Sequence, residues 1–244
     1  MGRASTGLGR RAIWLAWGAI GGVVVLNLGW FLAGTLQTGG YSVASDDISD
    51  LGALTAQHPW VMLVASGIGG ALTILFALFA LRPALAVPGR GTALGAWLLA
   101  GSLMGLDNLS DAFFRLDCRA ADPGCSAAAA WSSWHGTVHI VVGVATAIAM
   151  IAAPFVLAPR MRRLAGWRDL ARPTFLFGLL FLTVAIGYAA LEGKTGGGYL
   201  QRTAIVLVSV GVATLALRVR ALARTPGVAD QDAVIGLPSP LATP

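Results

Sequence analysis

The sequence predicts an all-α integral membrane fold of six transmembrane helices, and three observations carry it. The 244-residue chain is 56% hydrophobic and only 11% charged, with mean hydropathy +0.74, whereas soluble domains carry roughly 25% charged residues. Its apolar residues fall in six runs, which a bilayer core of roughly 30 Å accommodates as helical spans. Its basic residues fall in short blocks: 13 of the 17 Lys and Arg lie in the head, the second-to-third and fourth-to-fifth connections and the tail. That asymmetry predicts a protein of the cytoplasmic membrane, with both termini in the cytoplasm and three hairpins facing outward. The formal charge of +6 invites a nucleic-acid reading. Arginines dispersed between apolar runs form no such patch, so the expected partner is the lipid bilayer and no nucleic acid.

Residues 1–11 form a basic head with Arg3, Arg10 and Arg11. No charge occurs from Ala12 to Ser45, and Ile13 to Leu36 forms the first span. A cleaved secretory signal has a shorter apolar region, roughly 7–15 residues. An acidic connection with Asp46, Asp47 and Asp50 leads to the second span, Trp60 to Leu81, where Gly67, Gly69, Gly70 and Ala71 permit close helix contact. The third span runs from about Thr92 to Phe114 and, with Gly91, Gly95, Gly101 and Gly105, packs centrally. The fourth runs from about Trp134 to Leu157, the fifth from Thr174 to Leu191 and the sixth from Thr203 to Leu217. The prolines cluster at segment ends, so no span is expected to be interrupted. The glycine-rich EGKTGGGYLQR between the last two spans follows a helical span rather than the strand that precedes a phosphate-binding loop, and it reads as a turn. Residues 12–222 thus form one transmembrane domain, and residues 223–244 a disordered cytoplasmic tail.

The informative stretch is the central hairpin, Gly101 to Ala158. Asp107 and Asp111 close the third span, and His135 and His139 open the fourth, each pair spaced i, i+4 on one helix face. In a regular antiparallel pair, residues whose numbers share a constant sum lie level, which sets Asp107 opposite His139 and Asp111 opposite His135. An intramembrane carboxylate is costly and marks a functional site, the alternative being a structural polar contact that fixes one helix pairing. The His-x-x-x-His spacing lets two imidazoles reach one metal. With Asp107 or Asp111 as a further ligand or general base, the set would suit zinc with an open position for water; the alternative is a hydrogen-bonded cap. Ser49 and Asp50 in the first outer loop, Arg115 beside the hairpin loop and Glu192 after Tyr188 are the candidates to contact a ligand at its mouth. Ser49 also reads as a helix cap, and Arg115 and Arg119 as partners of Asp117 or Asp122. Cys118 and Cys125 both fall in the outer loop, where an oxidising compartment favours a disulfide between them.

Three runs, SDLGA (Ser49 to Ala53), FRLDC (Phe114 to Cys118) and SWHGTVH (Ser133 to His139), resemble the bacterial and archaeal membrane family called domain of unknown function 998, over about residues 12–222. The resemblance implies a six-helix integral membrane protein and no established activity. Function is therefore read from the site. The first reading is a non-enzymatic protein binding a lipid or small molecule, or sensing, at the outer leaflet, its Asp/His cluster structural or proton-responsive. The alternative is an extracytoplasmic metal-dependent hydrolase of a lipid amide or ester. Its chemistry looks like that of the ceramidase-type membrane hydrolases, from which the chain departs in helix number and in the position of its His-x-x-x-His. The third reading, a transporter, would be favoured by helices broken at mid-membrane.

Overall fold

A computed structural model of the chain describes residues 9–86 and 93–225. Arg3, Arg90, Gly91, Thr92 and the tail beyond residue 225 lie outside the described residues. Among the described residues the fold is helical throughout, with no strand. The long helices are α1 (Arg10–Thr35), α2 (Trp60–Ala84), α6 (Trp134–Arg162), α7 (Arg168–Leu191) and α8 (Gly197–Arg224), with three short helices, α3 (Leu94–Ala100), α4 (Asn108–Asp111) and α5 (Ala127–Ala130), between α2 and α6. The five long helices are long and apolar enough to cross a membrane, and at most half of each one's apolar window is buried inside the protein. Leu28, Phe31, Phe79, Val144, Ile148 and Ile186 instead face outward, the inverse of a soluble fold and the pattern a bilayer stabilises.

The helices close a ring in chain order: α1 packs on α2, α2 on α4, α3 on α6, then α6 on α7, α7 on α8 and α8 back on α1. The small residues of the sequence make the close approaches. A Cβ on Gly29 would lie 2.1 Å from Ala65 Cβ, and one on Gly95 would lie 2.6 Å from the Leu157 side chain. Asn27 of α1 donates to Ser209 Oγ of α8 at 2.8 Å and accepts from Trp30 Nε1 at 3.2 Å, a polar clasp between apolar faces.

The segment expected to form a third span is the main departure from expectation, and it is not among the five long apolar helices. Instead of one helix, α3 stops at Ala100 and the chain becomes extended at Ser102 (φ −94°, ψ −179°). It then re-enters helix through a π-turn, Leu103–Asp107, before α4. No proline causes this. A Gly-Ser pair is a recognised break point, and Ser102 supplies the groups the break leaves open. Its Oγ donates to Leu99 O at 2.7 Å and accepts from Met104 N at 3.3 Å, and Asn108 Nδ2 donates to Leu103 O at 2.5 Å. Ser102 and Met104 are fully buried, so the irregular backbone is enclosed by protein. In contrast, α6 runs unbroken through Pro154 and Pro159.

Three connections, residues 36–59, 112–133 and 192–196, meet at one end of the ring. Arg119 Nη1 donates to Thr38 O at 3.0 Å and Gly196 N to Ala44 O at 2.8 Å, each joining the first connection to another. The turn before α8 is shorter than the glycine run suggests, since Gly197 and Gly198 already belong to the helix. Cys118 and Cys125 form the disulfide, which closes a loop containing the Arg119–Asp122 ion pair. That pair ties the hairpin loop to Gln37, Thr38 and Thr55 of the first loop. Opening the bridge with Cys118→Ser/Cys125→Ser is expected to cost about 2–3 kcal/mol through loop entropy. A reductant should then lower the thermal midpoint of the wild type and leave the variant unmoved; equal melting of wild type with and without reductant would contradict this.

Candidate functional site

The three runs singled out in the sequence converge at the loop end, each residue type with a local task. In Ser49–Gly52, a 3-10 turn, Leu51 is fully buried and Asp50 accepts from Asp47 N and Ala120 N at 3.2 Å each, joining first loop to second. The turn's last carbonyls are satisfied by Arg115, which donates to Gly52 O at 2.7 Å and Ala53 O at 2.8 Å. Leu116 O accepts from Leu54 N at 2.9 Å. Ser133 caps α6, its Oγ accepting from Gly136 N at 3.1 Å, while its own N donates to Asp117 at 2.8 Å. A Cβ at Gly136 would lie 2.7 Å from Trp131 Cα and 2.9 Å from Ala130 O, so the loop passes over α6 only because that residue is glycine.

Beneath this lid His139 Nδ1 lies 3.0 Å from Asp111 Oδ1 and 3.2 Å from Phe114 O. Ser49, Ser66, Asp111, Arg115 and His139, with Met62, Leu63 and Phe114, line a narrow cleft whose free space, about 10 Å³, is that of one water molecule. Its polar groups come from four places: the first loop, α2, the α4 end with the residues after it, and α6.

The expected level rungs are not formed. His139 pairs with Asp111 rather than Asp107, and Asp107 instead accepts a hydrogen bond from Thr146 Oγ1 at 3.0 Å. The step from Asp107 to Asp111 thus spans about one helical turn, against about two from Thr146 to His139 on α6. The constant-sum rule assumes two regular helices, and the π-turn before α4 changes both the phase and the depth of Asp107. His135 is exposed and its ring stacks on Trp134 (centroids 3.6 Å) and lies 6.2 Å from Phe114, so it does not join His139. Among the described residues no group of three or more His, Cys, Asp or Glu comes together as metal ligands; the expected zinc donor set does not converge. Glu192 is exposed at the end of α7 and outside the cleft, and Arg115 turns its guanidinium to backbone carbonyls. Thr146 and Ser66, neutral hydroxyls inside apolar runs, carried no sequence signal. Their only mark was a helical phase facing the hairpin.

A second polar knot adjoins the cleft. Arg202, 7% exposed, donates through Nη1 to Val43 O at 3.1 Å, Asp46 O at 2.8 Å and Gly198 O at 2.9 Å, and through Nη2 to the Tyr41 hydroxyl. Asp47 Oδ2 accepts from Tyr188 at 2.7 Å, while its Oδ1 is buried with no hydrogen-bond partner. Burial pushes the Asp47 and Asp50 carboxyls up to about 6, against the pull of their hydrogen bonds. The Ser133 hydrogen bonds hold Asp117, and those from Arg119 hold Asp122, below the usual carboxylate range.

The sign of the pH dependence follows. The folded state holds the Asp47 and Asp50 protons more tightly than the unfolded chain. Their contribution is fully present below about 3.8 and lost as pH rises through about 6. Asp117 and Asp122 act oppositely, and only at more acid pH. The thermal midpoint is expected to rise between pH 7.5 and 5, with a smaller rise in Asp47→Asn. An identical slope in that variant would show that Asp47 contributes nothing.

The sequence profile of a family described as protein of unknown function (DUF998) matches residues 19–218. No curated protein and no solved structure matches the chain.

Proposed function

Because the chain belongs to the DUF998 family, whose description assigns no activity, we propose a function from the site: a six-span protein of the cytoplasmic membrane, both termini cytoplasmic, that binds the terminal polar group of a lipid head at the outer leaflet. In this reading residues 12–222 are the membrane domain, the α3–α4 segment is its discontinuous third span, and the protein binds or senses rather than catalyses. One observation carries it: the SDLGA, FRLDC and SWHGTVH runs close around one cleft lined by Ser49, Ser66, Asp111 and His139. A water-sized cleft takes one ammonium or hydroxyl, not a whole head group. Asp111 is the acceptor for that donor, Ser49 and Ser66 complete its hydrogen bonds, and His139 holds the carboxylate in place. Trimethylammonium offers no N–H and is too large.

The test is the thermal shift of delipidated protein on adding phosphatidylethanolamine or phosphatidylcholine. The reading expects a shift with the ethanolamine head alone, lost in Asp111→Ala and Ser49→Ala. Equal shifts with both lipids, or unchanged shifts in the variants, would overturn it.

A second reading, transport, is favoured by the break at Gly101–Ser102, since discontinuous helices line many transporter sites. Solute flux into proteoliposomes that is abolished by Asp107→Asn would support it; no flux would remove it.

A further inference from the structure

Helices α6, α7 and α8 leave an apolar crevice of about 220 Å³ between them, with Leu99 of α3 in its lining. Each of the three helices lines it over the same length, Met150 to Leu157, Leu170 to Phe177 and Val208 to Leu215, about 10 Å of helix each. Leu99, Met150, Val208 and Val212 are buried, whereas Pro173 of α7 and Val210 and Thr214 of α8 are exposed. The crevice therefore runs from the protein interior to the surface between α7 and α8. Among the described residues no charged side chain lines it. Its two hydroxyls are committed within the protein, Thr174 Oγ1 donating to Met161 Sδ at 3.4 Å and Thr214 Oγ1 to Val210 O at 2.8 Å.

We propose that this crevice is a binding site for one acyl chain of a bilayer phospholipid, which enters between α7 and α8. The site shares no residue with the loop-end cleft. Its three helices are among the five long and apolar enough to cross a membrane, so the medium at the opening is hydrocarbon. Water is a poor occupant, because an enclosed water needs about two to four polar partners and neither hydroxyl has a proton left to donate. An empty crevice forfeits dispersion contacts along its whole lining. Lipid tails are as apolar as these walls, so packing rather than the hydrophobic effect holds the occupant, and shape selects it. Spread over about 10 Å, the volume leaves a cross-section of roughly 20 Å². That is the width of one extended polymethylene chain and too narrow for a helix or a fused ring system. The lining offers nothing to a head group, so binding follows the chain and not the head.

The experiment places the full-length protein, one copy per nanodisc, in phosphatidylcholine that carries a mid-chain diazirine, and maps the photolabelled residues by mass spectrometry. Label is expected on Met150, Val208 and Val212, which the protein shields from the surrounding bilayer, as well as on exposed residues such as Ile148 and Leu179. Label confined to the exposed residues would overturn the site. Gly211 lines the crevice, and a Cβ there meets only the Phe177 ring, at 3.4–3.8 Å, an ordinary contact. Gly211→Leu therefore fills the space from within and is expected to lower label on the shielded residues about tenfold. Gly21→Leu, with nothing within 4 Å of its Cβ on α1, is expected to leave it unchanged. If Gly211→Leu fails to fold, Gly211→Ala is expected to give a smaller drop; unchanged label in a folded Gly211 variant would count against the site. Phosphatidylglycerol with the same labelled chain is expected to give the same pattern, and a pattern that depends on the head would contradict the proposal. Displacement by free palmitate but not by an equal excess of unlabelled phosphatidylcholine would show a fatty-acid site and overturn it.

Discussion

Gly105→Ala is expected to remove most of the folded protein. A Cβ at Gly105 would sit 2.1 Å from Ala100 O and 2.8 Å from Ala100 C, both backbone atoms across the break between α3 and α4. No rotamer change relieves a backbone clash, so the Ser102 turn itself must open. That would release the bonds Ser102 makes to Leu99 and Met104 and expose buried backbone. The segment cannot retreat, because Gly70 of α2 presses on it from the other side. A Cβ there would lie 2.5 Å from Leu109 N and 2.6 Å from Gly105 O. We expect a cost of about 3 kcal/mol or more for either substitution, read as loss of the monodisperse peak in size-exclusion chromatography and a lowered thermal midpoint. Gly21→Ala, with nothing within 4 Å of the added Cβ, is the control. It should be neutral or slightly stabilising, since alanine is the better helix former. A well-folded Gly105→Ala protein would mean that there is no such break between α3 and α4.

Arg202→Ala is expected to release the first loop. The side chain supplies donors to the Val43, Asp46 and Gly198 carbonyls and to Tyr41, and lies 5.9 Å from both the Trp30 and Tyr41 ring centres. Truncation leaves three carbonyls without that partner beside the buried Asp46 and Asp50, a cost of about 3–5 kcal/mol by analogy with buried charge networks. Limited proteolysis with an aspartate-directed protease reads it directly: cleavage near Asp46 and Asp47 should appear in Arg202→Ala and be absent from wild type. Arg202→Lys keeps the charge but not the fork and should be intermediate. A protected loop in Arg202→Ala would show that the Gly196 and Gly198 bonds to Ala44 suffice alone.

These two sites also mark where sequence reasoning stops. Long apolar runs survive translation into structure because a bilayer selects for length and hydropathy, which are one-dimensional. The ends of α2 and α6 at Trp60 and Trp134 fall where the sequence places them. The cysteine pair was legible for a similar reason, since compartment and proximity in the chain determine it. The break at Ser102 was not, because it arises from a Gly-Ser pair and a nearby glycine rather than a proline, and such pairs are common inside unbroken membrane helices. Once the break is present, the register of Asp107 and Asp111 against α6 shifts, and the Asp/His pairing derived from regular helices fails with it. The structure pairs His139 with Asp111, where the sequence set Asp111 opposite His135. Arg202 reads in sequence as a charge just before the sixth span; its burial depends on the first loop folding back over α8, a contact 156 residues apart.

The cleft beside Asp111 and His139 is proposed to accept one small hydrogen-bond donor. The most direct measurement is binding of phosphatidylethanolamine and its mono-, di- and trimethylated forms to the protein in nanodiscs, for wild type and His139→Ala. Each methyl removes a donor and adds bulk, so affinity should fall stepwise in wild type, and His139→Ala should flatten the series. Equal affinity across the four heads in wild type would contradict the account.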